Sequence, residues 1–333
     1  MEQVKVSLIT GDGIGPEISR ATRKIIDSSI GKIDWEVVEA KPQVEDGKVI
    51  FDRMFNSLKE TSIGIKGPIT TPIGSGYSSL TVALRKKLEL YANVRPVKQL
   101  PGLNTNFQNR EVDLITIREN TEGLYSGIEH EISGEYAESI KLTSKKGSER
   151  IAKFAFEYAK KEGRKKVTAI HKANILKKSD GLFLDSARKI SQDYPDIELD
   201  EKIVDNMAMQ LVMHPEDYEV LLAPNLYGDI LSDLSAGLIG GLGVAPGGNF
   251  GDDAVVFEAV HGSAPDIAGQ NIANPIGLLR SSIMMLEYVN QSSAATQIES
   301  ALKKVLKKGE VLTPDLGGKA TTTELADEII EHI

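Results

Sequence analysis

Two aspartates, Asp229 and Asp233, have the residue type and the spacing needed to hold a metal ion. They are four residues apart in the segment Asn225-Leu-Tyr-Gly-Asp-Ile-Leu-Ser-Asp, so on a helix both carboxylates lie on one face, one turn apart. Nothing basic on the same local face neutralises them, and like charges at this spacing destabilise a helix. A hard divalent cation, with coordination positions left open for a substrate, would account for the pair. The alternative is a solvated first helical turn, where aspartate is favoured.

The neighbouring sequence predicts where this pair lies in the fold. The apolar run at residues 218–223 predicts a buried strand, and residues 230–239 are compatible with a helix. The pair therefore follows the end of a strand, which is the usual ligand side of an open α/β sheet.

Other ionisable residues at predicted strand ends and loops could complete such a site. Three guanidiniums, from Arg85, Arg95 and Arg118, would hold a polycarboxylate by bidentate pairs if they met in one cleft, although each alone also fits a surface arginine. Tyr125 and Lys172 form a candidate proton-transfer pair, because a nearby cationic lysine lowers the pKa of a phenol. Asp205 is a third carboxylate that could join the metal.

Composition limits the classes of function. The chain has 333 residues, with 41% hydrophobic and 26% charged residues, which is typical of a soluble globular protein with two lobes. The net charge of −9 argues against nucleic acid as a partner. No apolar run is long enough to span a membrane, and the first residues lack the apolar core of a signal peptide. Cysteine is absent, which excludes disulfides and thiolate zinc sites, and we expect a cytoplasmic location.

Hydrophobic periodicity predicts strands that alternate with helices, and hence a mostly parallel, doubly wound sheet. The predicted strands cover residues 4–9, 35–40, 62–66, 113–117 and 166–170, and the predicted helices begin near residues 16, 79, 148, 275 and 321. Residues 133–143 predict a short exposed ribbon, and residues 240–251 a glycine-rich connection with neither helix nor strand. The final helix has a possible capping box, Thr321 with Glu324.

Two boundaries divide the sequence into two predicted domains. A boundary near residue 97 follows Arg95-Pro96, and a second boundary near residue 238 returns the chain to the first domain. The prediction is one large domain of residues 1–97 plus 238–333 and a small domain of residues 98–237.

The first glycine run has the spacing G-x-G-x-G and not the G-x-G-x-x-G of a dinucleotide fingerprint, which favours a tight strand-to-helix turn.

Seven segments together resemble one known family. They are Gly11-Asp-Gly-Ile-Gly-Pro-Glu17, Lys66-Gly-Pro-Ile-Thr-Thr71, Leu90-Tyr-Ala-Asn-Val-Arg-Pro96, Arg118-Glu-Asn-Thr-Glu-Gly-Leu-Tyr125, His171-Lys-Ala-Asn174, Asn225-Leu-Tyr-Gly-Asp229 and Glu258-Ala-Val-His-Gly-Ser-Ala-Pro-Asp-Ile267. These segments run over nearly the whole chain, and in them the chain resembles the β-decarboxylating dehydrogenases of isocitrate, homoisocitrate, 3-isopropylmalate and tartrate. It looks most like the NAD-dependent isocitrate dehydrogenases.

The resemblance implies a fold and a set of residue roles. The fold would be the two-domain α/β fold of isopropylmalate dehydrogenase, with an open, mostly parallel sheet covered by helices on both faces, and not a Rossmann fold. The large domain would bind the cofactor, and the small domain would carry the dimer interface with the metal and catalytic residues. Substrate would bind to Ser79, Thr81, Arg85, Arg95 and Arg118; Mg²⁺ or Mn²⁺ to Asp205, Asp229 and Asp233; and NAD to Thr70, Thr71, Glu258, His261, Gly262, Ser263, Ala264, Pro265, Asp266, Ile267 and Asn274. Tyr125 and Lys172 would be catalytic, with Lys172 and Asp205 contributed by the second subunit of a homodimer with shared active sites.

The implied reaction is the metal-dependent oxidative decarboxylation of a malate-type 2-hydroxy acid, with reduction of NAD. Isocitrate is favoured, with homoisocitrate second and 3-isopropylmalate third. An isopropylmalate enzyme would need an apolar wall for the methyl groups of its substrate, and Ser78, Ser79 and Thr81 make a poor one. Thr81 departs from the asparagine that isocitrate dehydrogenases commonly have at this position. Two alternative hypotheses belong to other classes of protein. The first is a non-catalytic regulatory subunit, which would have lost metal and proton-transfer residues. The second is a plain anion-binding α/β protein, for which the three aspartates would serve no purpose.

Overall fold

The computed structural model describes residues 4–30, 33–39, 43–45, 48–50, 52–70 and 80–333. In this part of the chain, strands and helices alternate along most of the sequence. The strands are β1 Val4–Ile9, β2 Ile33–Val38, β3 Gln43–Glu45, β4 Lys48–Ile50, β5 Ile63–Lys66, β6 Ala92–Lys98, β7 Asp113–Glu119, β8 Glu129–Ile132, β9 Tyr136–Ser139, β10 Lys166–His171, β11 Glu198–Ile203, β12 Val220–Ala223, β13 Pro246–Phe250 and β14 Val255–Ala259. The helices are α1 Gly15–Ser28, α2 Asp52–Thr61, α3 Leu80–Lys87, α4 Lys145–Lys161, α5 Ser179–Ser191, α6 Val204–Met213, α7 Asn225–Leu238, α8 Ile276–Tyr288, α9 Ser292–Lys308 and α10 Thr322–Glu331.

The chain forms two compact units. The first comprises residues 1–84, 100–105 and 239–333, and the second comprises residues 85–99 and 106–238. Residues 85–97 thus belong to the second unit, whereas the boundaries predicted from the sequence assign them to the large domain.

The first unit is built on a mostly parallel sheet. Strand β1 pairs in parallel with β2 and β5, β5 pairs in parallel with β14, and β13 pairs antiparallel to β14. All five residues of β14 are buried. Because successive side chains of a strand point to opposite faces, both faces of the sheet are covered at this strand.

The second unit repeats this arrangement. Strands β11, β10, β12 and β7 are parallel in that order, and β6 pairs antiparallel to β7. All four residues of β12 are buried, so the sheet is covered on both faces here too. The predicted α/β class with a mostly parallel sheet is confirmed. No helix of the described residues is long and apolar enough to cross a membrane.

Several local predictions are confirmed. Strand β1 occupies the predicted residues 4–9, and both parts of the capping box between Thr321 and Glu324 are formed at α10. The first glycine run is a strand-to-helix turn in which Gly11 and Gly13 have positive φ angles of 73° and 56°. A Cβ atom on Gly13 would lie 2.0 Å from the carbonyl oxygen of Ser263, so this close approach of two backbones requires glycine.

Two local predictions were wrong. Residues 246–250 form strand β13 inside the segment predicted to lack regular structure, because Pro-Gly-Gly-Asn-Phe has little strand propensity of its own and is held by pairing with β14. Helix α7 begins at Asn225 and not at Ile230, so Asp229 lies inside the helix.

Candidate active site

Arg118, the sixth residue of β7, is the centre of a polar cluster in the second unit. Its side chain is only 1% exposed, and its Nε and Nη2 atoms donate to Asn225 Oδ1 at 3.1 and 2.8 Å. Its Nη1 atom forms a close ion pair with Asp229, and its guanidinium carbon lies 5.0 Å from the centre of the Tyr125 ring. The guanidinium is therefore held in one orientation by three side chains.

The start of α7 is shaped around this arginine. A Cβ atom on Gly228 would lie 2.6 Å from Arg118 Cγ, so only glycine leaves room for the arginine side chain at this position. Asn225 is almost fully buried, and its Nδ2 atom donates to the Glu122 carbonyl at 3.0 Å. Sequence reasoning assigned no role to Asn225 or Gly228. The available signal was their place in the same short segment as Asp229.

Arg95 and Arg85 extend the cluster. Arg95 Nη1 donates to Ser232 Oγ at 2.7 Å and to Asp233 Oδ1 at 2.8 Å, and its Nη2 atom lies 3.7 Å from Asp229 Oδ1. Arg85 is also buried. Burial lowers the pKa of Arg118 to about 10, and the positive charges of Arg85 and Arg95 contribute to this shift. The structure therefore brings the three predicted arginines together with two of the predicted aspartates.

As the sequence indicates, no basic residue of the same helix neutralises Asp229 and Asp233, but guanidiniums from elsewhere in the chain do. The neutralising guanidiniums are not local: they come from β6 and β7, more than one hundred residues earlier in the chain. Asp205 does not join the pair within one chain, because it lies in the first turn of α6 and forms an ion pair with Lys172. In the part of the chain that the structure describes, no group of three or more His, Cys, Asp or Glu residues could hold a metal ion.

Tyr125 and Lys172 have different partners within one chain. The Tyr125 hydroxyl donates to Asp229 in a short hydrogen bond, and the Lys172 ammonium contacts Asp205. The pKa of Tyr125 is raised, first by burial and then by the hydrogen bond and the charge of Asp229. Within a single chain, then, the phenol is not made more acidic by Lys172, and a Tyr125–Lys172 pair stays a prediction about two subunits.

The donor atoms of Asp229 and Asp233 fit a divalent cation. Both are hard carboxylate oxygens, and their side chains are 30% and 51% exposed. Mg²⁺ is typically bound by one or two protein carboxylates, with substrate and water oxygens in the remaining positions. A cation at Asp229 would replace contacts that Arg118 and Tyr125 make to this carboxylate.

The predicted cofactor loop lies in the first unit. Ser263 is buried, and its carbonyl oxygen accepts from the backbone nitrogen of Ile14 at 2.9 Å. Its hydroxyl lies 2.8 Å from the hydroxyl of Thr70, and the Thr70 backbone nitrogen donates to Asp12 Oδ1 at 2.8 Å. The loop is thus anchored to the glycine turn after β1 and to the segment after β5.

His261 opens this loop, and its Nε2 atom is buried with no hydrogen-bond partner among the described residues. Burial lowers the pKa of His261, which favours the neutral imidazole. Gly262, Pro265 and Asp266 are exposed, and a Cβ atom on Gly262 would meet nothing within 4 Å. The loop therefore presents an open surface beside the imidazole of His261.

Other predicted site residues are engaged inside the first unit or fall outside the described part. Glu258 is buried, where it forms an ion pair with Lys66 at 2.9 Å and accepts from Asn249 at 2.8 Å. Asn274 is also buried and donates to Asp315 at 2.9 Å. Ala264 and Ile267 lie on the loop and Thr81 lies in α3, all three partly exposed. Thr71 and Ser79 lie outside the described residues.

A family model described as isocitrate/isopropylmalate dehydrogenase matches residues 5–329. The chain belongs to this family. It is 50% identical over 330 residues to a regulatory subunit of mitochondrial NAD isocitrate dehydrogenase from Dictyostelium discoideum, covering 99% of this chain and 92% of the relative. It is 48% identical over 333 residues to the mitochondrial NAD isocitrate dehydrogenase catalytic subunit 5 of Arabidopsis thaliana, covering 99% and 88%. The crystal structure of isocitrate dehydrogenase from Methylococcus capsulatus superimposes with a TM-score of 0.93 at 49% identity, covering 98% of both chains.

Membership of the isocitrate/isopropylmalate dehydrogenase family confirms the resemblance found in the sequence. The expected cytoplasmic location, however, is contradicted, because both curated relatives are named as mitochondrial proteins. The composition of the chain could not have given the correct location. Its charge, hydropathy and lack of cysteine indicate only an aqueous, reducing environment, which does not distinguish the cytoplasm from the mitochondrion. Those relatives are also named as subunits, and their names do not confirm the predicted homodimer.

Proposed function

We propose that this chain catalyses the NAD-dependent oxidative decarboxylation of isocitrate to 2-oxoglutarate and CO₂. The observation that carries the proposal is the cluster in which Arg95 and Arg118 contact the carboxylates of Asp229 and Asp233, with Arg85 close to Arg118. Family membership and the names of the relatives support it. Homoisocitrate and 3-isopropylmalate are less favoured substrates, since the relatives named above are isocitrate enzymes.

The three arginines would bind the carboxylates of the substrate. Isocitrate carries three carboxylates, and a buried guanidinium such as Arg118 loses little further solvation when it forms a charge-assisted, bidentate hydrogen bond with one of them. Its orientation is set in advance by Asn225, so little conformational entropy is lost on binding. Ser79 and Thr81 would contact the carboxylate on the γ carbon of the substrate.

Asp229 and Asp233 would hold Mg²⁺ or Mn²⁺, with Asp205 contributed by a partner subunit. When bound, such a cation lowers the pKa of the substrate hydroxyl and polarises the carbonyl that oxidation produces. The aspartates also keep the three arginines from repelling one another before the substrate arrives.

Tyr125 would act as the acid that protonates the enolate left after loss of CO₂. Burial raises the pKa of its hydroxyl, which favours the protonated state that an acid requires. Lys172, from a partner subunit, would resupply this proton. The backbone of β7 and the turn after it hold Tyr125 beside Arg118, next to the bound substrate.

NAD would bind on the loop at residues 261–267 with Thr70, Thr71, Glu258 and Asn274, in the domain of residues 1–97 and 238–333. When bound, NAD⁺ accepts the hydride of the substrate. The Nε2 atom of His261 offers a hydrogen-bonding group to the nucleotide, and the exposed Asp266 could accept from the ribose hydroxyl of NAD while repelling the phosphate of NADP.

A partner subunit with the same fold would complete the site. Ile175, Met209 and Ile230 are 68%, 47% and 54% exposed, in the same three segments that carry Lys172, Asp205 and Asp229. Such an apolar surface around polar functional residues is typical of a subunit interface. A second copy of this chain and a related chain would both fit.

A non-catalytic regulatory role is the second candidate, since one relative is named a regulatory subunit. Against it, Tyr125, Lys172 and all three aspartates are present in this chain. Steady-state kinetics of the purified chain alone, with Mg²⁺, decides between the two. We expect turnover, with the highest kcat/KM for isocitrate and NAD⁺ when isocitrate, homoisocitrate and 3-isopropylmalate are each assayed with NAD⁺ and NADP⁺. Absence of turnover with every pair, in a folded and correctly assembled protein, would exclude the catalytic proposal.

A further inference from the structure

Asp180, in the first turn of α5, is a fully buried carboxylate to which the proposed reaction assigns no role. A buried charge is stable only when several donors compensate it. The contacts of Asp180 therefore show which parts of the chain depend on it.

Three donors converge on this carboxylate. The backbone nitrogen of Lys172 donates to Oδ2 at 2.7 Å, and the ammonium of Lys141 forms a close ion pair with Oδ1. The Tyr227 phenol lies close to Asp180: burial first, and then the charge of Asp180 and hydrogen bonding to it, raise the pKa of this phenol. The Lys141 ammonium lies 4.6 Å from the centre of the Tyr227 ring, so the donors also contact each other.

These donors come from three segments, and the segments of Lys172 and Tyr227 carry proposed site residues. Lys172 is the first residue after β10, Lys141 follows β9, and Tyr227 lies in α7 two residues before Asp229. The Lys172 ammonium at the other end of its side chain contacts Asp205. Lys172 is thus held at its backbone by one aspartate and at its ammonium by another.

We propose that Asp180 is a positioning residue that fixes the backbone of Lys172 and so aims its ammonium for the proton step. This inference rests on the role that the proposed function gives to Lys172. Asp180 is not among the residues proposed to bind substrate, metal or cofactor, and it acts only through Lys172. Lys141 and Tyr227 keep its charge compensated and link it to the exposed hairpin and to α7.

Asp180→Asn is the direct test. An amide cannot accept at both positions, so its nitrogen must face either the Lys172 N–H or the Lys141 ammonium. We expect kcat to fall by up to about 100-fold, because a displacement of about 1 Å in a catalytic group can cost this much. The KM values for isocitrate and NAD⁺ should not change. Asp185→Asn, at an exposed site on the same helix, is the matched control and should leave kcat unchanged.

A double-mutant cycle with Lys172→Met separates positioning from a general structural effect. If Asp180 acts through Lys172, then Asp180→Asn should lower kcat in the wild-type background and have no further effect in the Lys172→Met background. Hydrogen exchange of the peptide covering residues 166–176 should also become faster in Asp180→Asn and not in Asp185→Asn. Tyr227→Phe, which removes one neutral donor and leaves the ion pair intact, should produce a smaller fall with the same dependence on Lys172.

An equal fall of kcat in both backgrounds, or an unchanged kcat in Asp180→Asn, would overturn the proposal. If Asp180→Asn does not fold, the same cycle with Tyr227→Phe decides the question by the same criteria. If Lys172→Met keeps the kcat of the wild-type enzyme, the proposed role of Lys172 fails and this inference fails with it. Failure of the Asp180 inference alone leaves a large effect of Lys172→Met in place, so the two failures can be distinguished.

Discussion

Asp229→Asn tests the central cluster, because it changes one charge and almost no volume. In the structure, one oxygen of Asp229 accepts from Arg118 and the other accepts from Tyr125. The asparagine oxygen could still accept from Arg118, and its amide nitrogen would face the Tyr125 hydroxyl, which can serve as an acceptor. The fold should therefore survive the change.

The expected losses of stability and of activity follow from the positive groups that the Asp229 carboxylate compensates. Complete loss of the charge-assisted hydrogen bond to the buried guanidinium would cost about 1.5–3 kcal/mol of the free energy of unfolding, and this is an upper limit because the asparagine oxygen can keep the bond. For catalysis, the variant loses a cation ligand together with the negative charge that offsets three arginines. Removal of one electrostatic group from an active site costs roughly 10²–10³-fold in kcat. Activity should thus fall far more than stability.

The assay is the initial rate of NADH formation across a titration of Mg²⁺, with thermal unfolding measured on the same samples. We expect kcat/KM of Asp229→Asn to be low at every Mg²⁺ concentration. Asp196→Asn, an exposed substitution in the same unit, is the matched control and should behave as wild type in both measurements. Wild-type kcat/KM in Asp229→Asn, or full turnover of the unaltered enzyme after exhaustive chelation, would refute the reasoning about the metal.

Four further results are expected. Tyr125→Phe should impair the full reaction more than the reduction of a 2-keto acid that lacks the carboxylate, because the hydroxyl acts only on the enolate; equal losses would contradict this. Mixing inactive Asp205→Asn and Tyr125→Phe chains should restore some activity if sites are shared between subunits, and no recovery after demonstrated subunit exchange would mean that each site lies within one chain. Changing Asp266→Lys and Ile267→Tyr together should narrow or invert the preference for NAD⁺ over NADP⁺, whereas an unchanged ratio of kcat/KM values would count against the role of Asp266. Thr168→Val should raise the midpoint of thermal unfolding, because the buried Thr168 hydroxyl has no hydrogen-bond partner among the described residues. Its removal should stabilise the fold by about 1 kcal/mol, and a lower midpoint would show that the hydroxyl is hydrogen-bonded.

The sequence by itself determined the features that depend on local patterns. Strand β1 follows from its alternating and then apolar residues, and the capping box at Thr321 follows from two side chains three residues apart. The family also follows from the sequence, because its motifs are short contiguous segments. In the same way, the candidate chemistry of Asp229 and Asp233 followed from their spacing of one helical turn.

Only the tertiary structure decided which of these residues meet. Arg118 and Asp229 are 111 residues apart, and their contact depends on β7 lying beside β12 and α7. Strand β13 forms because β14 supplies hydrogen-bonding partners that its own glycines do not encode. Pairing of β14 with β5 places Glu258 beside Lys66, and contacts between distant segments bring Lys141 to Asp180 and Arg118 to Asn225. Such contacts depend on register and topology over the whole chain, which local sequence patterns do not specify.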